Sequence, residues 1–136
     1  MHQKLTMVNK IVLPQELETF YVIPAIRRQL ALAMDEAGAK QKDIAAILGI
    51  NTSAISQYKS KKRGEKIILP SDIVQQIKHS STKVKDQLSY VRETQHLLHL
   101  IRTTGALCSI HKQLSTIPNH CEPSLVGCHL AGRGTH

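Results

Sequence analysis

Apolar residues recur at intervals of three and four along much of the 136-residue chain, and this spacing predicts helices. The first helix is predicted from Leu17 to Gly38. We expect Pro24 in its first turn, where a missing N–H costs little. A second helix is predicted over about residues 41–48 and a third over about residues 52–60.

Two further helices are predicted in the second half of the chain. One begins after Pro70, with Ser71 as its N-cap. Its inward positions are Ile73, Val74 and Ile77. The other is a long helix over about residues 82–103, stopped by Gly105. Its apolar positions are Val84, Leu88, Val91, Leu98 and Ile101. Since no strand pattern, internal repeat or low-complexity tract is present, the predicted fold class is all-α.

The polar segment HSSTK, residues 79–83, is predicted to separate two units. Residues 15–78 would form a helical domain. Residues 82–136 would form the long helix and a Cys/His-rich tail, used for dimerisation, ligand sensing or metal binding. From Pro118 onward, Pro, Gly, Asn and Ser are frequent, which indicates irregular structure.

The stretch QKDIAAILGINTSAISQYKSKKRG, residues 41–64, interrupts the helical pattern at Gly49 and ends in a run of cations. Gly49 can adopt positive φ and so allows a sharp turn. Ala45 has to be small because two helices cross there. The remaining apolar residues are expected to point inward and pack the two helices together. They are Ile44, Leu48, Ile50, Ile55 and Tyr58. This is the pattern of a helix-turn-helix.

The charge balance favours a polyanionic partner, because 18 Lys and Arg against 10 Asp and Glu give a net charge of +8. Acidic membrane surfaces also attract such a chain. One Phe, three Tyr and no Trp are too few aromatics for a base-stacking platform, which favours duplex over single-stranded nucleic acid.

Polar residues on the third helix are the candidate base contacts, because short polar side chains let a helix sit deep in a major groove. They are Thr52, Ser53, Ser56 and Gln57. The cations that follow would meet phosphates and supply salt-dependent affinity. They are Lys59, Lys61, Lys62 and Arg63.

Residues 20–64, FYVIPAIRRQLALAMDEAGAKQKDIAAILGINTSAISQYKSKKRG, resemble lambda-repressor/Cro-type helix-turn-helix regulators. They are most similar to small prokaryotic, largely archaeal regulators with a P-A-I-R-R helix, a Q-K-x-I-A-x-x-L-G helix and an A-[IV]-S-Q-Y helix before a basic turn. The resemblance implies a lambda-repressor-like domain in which Gln41 contacts a phosphate and the polar residues of the third helix face bases. Such regulators usually have Ser or Thr before that Gln as an N-cap, whereas this chain has Lys40.

Six of the eight histidines and all three cysteines lie between His96 and His136, in the end of the long helix and in the tail. Ligands paired at short spacing suit zinc or an iron–sulfur cluster. The proposed ligand set is His96, His99, Cys108 and His111, with Cys121 and Cys128 in reserve. The similar regulators carry Cys-x2-Cys and then Cys-x2-His in this region. The two histidines that replace the first pair here favour zinc over an iron–sulfur cluster.

An alternative interpretation of the tail needs no metal. His96 and His99 would be solvated residues on the polar face of a helix, and the cysteines small core hydrophobes. A thiol enzyme is disfavoured, because Cys108 with His111, or Cys121 with His120, lacks an orienting third group and the scaffold is small for a pocket. We expect no enzymatic activity.

The sequence as a whole predicts a sequence-specific, double-stranded-DNA-binding transcriptional regulator that acts as a homodimer. The start, MHQKLTMVNKIVLP, has no apolar run of signal-peptide length, and no segment is long enough to span a membrane. We therefore expect a cytoplasmic protein with no membrane partner. The alternative function is a protein-interaction module, such as an antitoxin or an adaptor on the transcription machinery.

Overall fold

The computed structural model describes residues 13–60 and 67–114, and in these residues the chain is helical, with no strand. The elements are α1 (Pro14–Leu17), a π-helical turn (Glu18–Val22), α2 (Ile23–Glu36), α3 (Gln41–Leu48), α4 (Thr52–Lys59), α5 (Ser71–Ser81), α6 (Gln87–Thr103) and α7 (Ala106–Leu114). The all-α prediction is confirmed for this part of the chain. None of the described helices is long and apolar enough to cross a membrane.

Helix α2 is central, because it contacts α3, α4, α5 and α6. Its buried apolar side chains belong to one cluster that also includes residues of every other helix. The largest fully buried side chains of this core are Leu17, Val22, Ile26, Leu30, Ile44, Ile55, Ile73, Ile77, Leu97, Ile101 and Ile110. The core therefore includes residues on both sides of the polar segment 79–83. The division of the chain into two units at that segment stays a prediction.

The first predicted helix ends as expected but begins earlier. Helix α2 ends at Glu36, and Gly38 follows with φ of 100°. The helical run starts at Pro14 and continues through the π-helical turn into α2, where Pro24 is the second residue and so lies in the first turn of α2. A proline inside a helix cannot donate to the carbonyl four residues back and crowds it. Here the π-helical turn comes just before Pro24, and the Ile23 N–H donates five residues back, to the carbonyl of Glu18.

Helices α3 and α4 are joined by a tight turn at Gly49, which has φ of 70° and ψ of 37°. The carbonyl of Ala45 accepts hydrogen bonds from the N–H groups of both Gly49 and Ile50, which closes the end of α3. The buried side chains of this pair are Ile44, Ala45, Leu48, Ala54, Ile55 and Tyr58, with Ile50 half-buried. The predicted bounds of both helices and the positive φ of Gly49 are confirmed.

Helix α5 begins after Pro70 as predicted, but Ser71 is not its N-cap. Pro70 occupies the cap position, no side chain caps the helix, and Ser71 is its first helical residue. Proline has no side-chain oxygen, so it cannot accept a hydrogen bond from the first N–H groups of the helix. Ile73 and Ile77 are buried and Val74 is half-buried, as the spacing predicts.

Helix α6 ends at Thr103 as predicted, and Gly105 follows with φ of 81°. It begins at Gln87 rather than near residue 82, because Asp86 caps it. The Asp86 carboxylate accepts from the Ser89 N–H at 2.8 Å, and the Ser89 hydroxyl accepts from the Asp86 N–H at 2.9 Å. The backbone hydrogen bond from Ser89, with that from its side chain, lowers the pKa of Asp86.

The apolar positions that indicated α6 do not all lie on its buried face. Leu88 is 80% exposed and Val91 is 53% exposed. The residues that face inward are Ser89, Glu93, Thr94, Leu97, Leu98 and Ile101. The prediction followed apolar residues alone, whereas three of the buried positions carry polar groups.

Helix α7 was not predicted, and it covers the residues directly after Gly105. Its buried residues are Ala106, Leu107 and Ile110. It packs on α6 and α1, and the Gln113 side chain pairs with both the N–H and the carbonyl of Ile68, each at 2.9 Å. The irregular tail predicted from residue 118 lies outside the described residues.

An ion pair joins the π-helical turn near the start of the chain to the end of α6. The Arg102 guanidinium donates to both carboxylate oxygens of Glu18, at 2.6 and 2.8 Å. The hydrogen bonds to Glu18 raise the pKa of Arg102, against the effect of burial. This bidentate geometry fixes the two segments against each other.

Candidate nucleic-acid interface

The outer face of α4 carries all four predicted base-contacting residues. Thr52, Ser53, Ser56 and Gln57 are exposed. At 3.6 residues per turn they fall within an arc of roughly 140°, so one flat surface can meet all four. We call these four residues the polar face of α4.

The opposite side of α4 is fixed to the core. Ala54, Ile55 and Tyr58 are nearly or fully buried. The buried Arg28 of α2 donates to the Tyr58 carbonyl at 3.4 Å, in the last turn of α4. The polar face therefore stands on a helix that cannot rotate without opening the core.

Arg28 is a part of this region that the sequence did not reveal. An arginine on a helix is ordinarily solvated, and its contact with Tyr58 joins residues 30 positions apart. No local spacing signals such a pairing.

Lys59, a predicted phosphate contact, forms an ion pair with another residue of the chain. Its ammonium lies 3.2 Å from a carboxylate oxygen of Asp35 at the end of α2. The Lys59 side chain is 49% exposed and that of Asp35 is 23% exposed. The sequence did not reveal the role of Asp35, since nothing in the local pattern connects positions 35 and 59.

Gln41, the other predicted phosphate contact within the described residues, is the first residue of α3 and is half-buried. Lys40 stands at the N-cap without a side-chain hydrogen bond to the helix, as its chemistry predicts. The predicted phosphate contacts Lys61, Lys62 and Arg63 lie outside the described residues.

An open groove of about 460 Å³ lies beside the end of α4, between α2 and α5. Its apolar residues are Leu32, Ala33, Val74 and Ile77. Its charged residues form the Asp35–Lys59 pair and a longer pair of 3.9 Å between Glu36 and Lys78. Solvent therefore reaches both ion pairs from the groove.

The predicted metal ligands are not assembled in the described residues. His96 and His99 are exposed on α6, whereas Cys108 and His111 are half-buried on α7. Within residues 13–60 and 67–114, no three His, Cys, Asp or Glu side chains are grouped so that they could hold a metal ion. Each pair lies on one helix, His96 and His99 on α6 and Cys108 and His111 on α7. The reserve ligands Cys121 and Cys128 lie outside the described residues.

Comparisons with known proteins found no matching family model, no matching curated protein and no matching solved structure. A functional interpretation of this chain therefore depends on its own residues and their geometry.

Proposed function

We propose that the chain is a sequence-specific, double-stranded-DNA-binding transcriptional regulator. In this proposal residues 15–78 form a repressor-like helix-turn-helix domain, and α4 is the recognition helix that enters the major groove. The observation that carries the proposal is the polar face of α4, four exposed short or amide side chains on a helix whose other side is buried.

The chemistry of the polar face suits base edges. The Gln57 amide can both donate and accept, which matches the N6 and N7 groups of adenine. The hydroxyls of Thr52, Ser53 and Ser56 can donate to or accept from any base edge. None of the four is bulky enough to keep the helix out of the groove.

Affinity for the backbone would come from the basic excess of the chain. A net charge of +8 favours a polyanion, and released counterions make the binding salt-dependent. The proposed phosphate contacts are Gln41, Lys59, Lys61, Lys62 and Arg63.

The test is a selection of bound duplexes from a randomised pool, followed by titration of the selected duplex against a scrambled one at several salt concentrations. We expect one recovered sequence motif, a preference of at least about a thousandfold for it, and weaker binding as salt rises. A pool recovered without any motif, or equal affinity for both duplexes, would contradict the proposal.

We also propose that the regulator is cytoplasmic and binds as a homodimer, because a lone domain of this size contacts few phosphates and two-fold pairing provides two half-sites. The selected motif is then expected to be palindromic, with half-sites about one helical turn apart. Sedimentation of the protein–duplex complex should give two chains per duplex. One chain per duplex would contradict the dimer.

A protein-interaction module is the second candidate, and one observation favours it. None of the four residues of the polar face carries a charge, so the face also suits a protein surface. The two functions differ in their response to DNA. If the polar face binds DNA, competitor duplex should displace the bound duplex. If it binds a protein, competitor duplex should leave the protein–protein complex intact.

A further inference from the structure

The Asp35–Lys59 ion pair stands at one edge of the polar face of α4. Lys59 follows Thr52 by seven residues, about two helical turns, so the two lie on the same edge. Gln57 lies on the opposite edge. A duplex lying along the polar face would bring its backbone close to Lys59 and also to the carboxylate that Lys59 contacts.

Asp35 is held in place more firmly than Lys59. It belongs to α2, the central helix of the core, and its side chain is only 23% exposed. Lys59 is at the last position of α4, with a side chain that is 49% exposed and able to change rotamer toward solvent. The cation can therefore leave the pair, whereas the carboxylate stays where it is.

We propose that Asp35 is a positioning residue that lowers the sequence-independent affinity of the chain for duplex DNA. This inference rests on the proposed function. Asp35 acts by holding Lys59 in an ion pair at the edge of the polar face. A phosphate must displace the Asp35 carboxylate from Lys59 or bind beside its negative charge. Displacing the carboxylate and binding beside its charge each reduce the contribution of Lys59 to backbone binding. Neither event affects the base contacts of Gln57.

This arrangement would lower the affinity for every duplex and leave the ratio of the affinities for the selected and the scrambled duplex unchanged. Contacts with the DNA backbone strengthen binding to every duplex, so weakening one of them lowers non-specific binding as well. Base contacts then account for a larger share of the total. The open groove beside the pair lets water and salt reach it, so the pair can exchange partners when a duplex binds.

The experiment compares Asp35→Asn, Lys59→Gln, the double variant and the control Glu36→Gln. The control also converts a carboxylate into an amide, one residue away, but its partner Lys78 is 3.9 Å distant and on α5. Asp35→Ser is measured as a second variant, so that the result does not depend on how one amide packs. Affinity is measured on the selected and the scrambled duplex over a range of salt.

Asp35→Asn and Asp35→Ser are expected to bind both duplexes roughly threefold to tenfold more tightly at about 0.1 M salt, with a salt slope steeper by about one. The gain should be absent when Lys59→Gln is added, and Glu36→Gln should change affinity less than about twofold. Each variant is melted beside the parent to show that it is folded.

Equal affinity of the parent and both Asp35 variants would overturn this inference and leave the proposed function intact. A gain that persists with Lys59→Gln would also overturn it, because the carboxylate would then act by general repulsion. Failure of the parent and of every variant to bind either duplex would overturn both the inference and the proposed function.

Discussion

Helix α4 and the first half of helix α6 distribute polar and apolar residues in opposite ways. In α4 the apolar Ile55 is fully buried and the polar Gln57 is exposed. In α6 the apolar Leu88 is 80% exposed, while Glu93 is buried. Apolar residues therefore mark the buried face of α4 but not that of the first half of α6.

The two helices differ because hydrogen bonds allow polar groups to be buried in the first half of α6. Burial opposes ionisation of Glu93, but hydrogen bonds from Ser80 and Arg92 and the nearby charge of Lys83 still lower its pKa. The Nε of Arg92 lies 3.1 Å from the carboxylate. A charge that is hydrogen-bonded and paired in this way can be buried, so it displaces apolar residues from the inner face.

The largest expected effect separates the two halves of α6. Leu97→Ala should lower the free energy of unfolding by about 2–5 kcal/mol, because Leu97 is fully buried. Leu88→Ala, the matched change on the same helix, should lower it by less than about 0.5 kcal/mol. Urea unfolding measures both. Similar losses of unfolding free energy for the two variants would mean that the Leu88 side chain is buried, contrary to the structure.

A smaller effect is expected at the turn that orients α4. Gly49 has φ of 70°, and the space that a Cβ would occupy there meets no other side chain or backbone segment within 4 Å. Gly49→Ala should therefore destabilise by backbone strain alone, about 1–2 kcal/mol. Gly49→Asn should cost less, since Asn tolerates this conformation. Thermal melts compare the two, and equal stability of the parent and Gly49→Ala would contradict the turn.

The smallest expected effect is the response of the α6 polar groups to acid. The pKa of Glu93 is lowered in the folded protein, below the ordinary value of 4.5. The stability that ionised Glu93 contributes is therefore present above pH 4.5 and is lost as pH falls through the folded-state pKa. Unfolding free energies between about pH 6 and pH 3 should fall less steeply for Glu93→Gln than for the parent. Equal slopes would contradict a role for Glu93 in acid sensitivity.

Local pattern was sufficient for the α3–α4 pair, because Gly49 and the small Ala45 constrain the turn and the crossing by themselves. It was not used for α7, although Leu107, Ile110 and Leu114 recur there at the helical intervals of three and four. Nor could it reveal Asp35 beside Lys59, a contact set by how α2 packs on α4. Spacing also placed His96 and His99 on one helix, but only the tertiary fold decides which side chains from α7 come near them.

If the polar face of α4 reads base edges as proposed, Gln57→Ala should remove one of those contacts. The variant and the parent are titrated on the selected duplex, on each of its single-base-pair substitutions and on a scrambled duplex. The variant should lose discrimination at one base-pair position, by roughly 1–3 kcal/mol, and should keep the parent's affinity for the scrambled duplex. An equal loss on every duplex, or no loss on any, would contradict base reading by this helix.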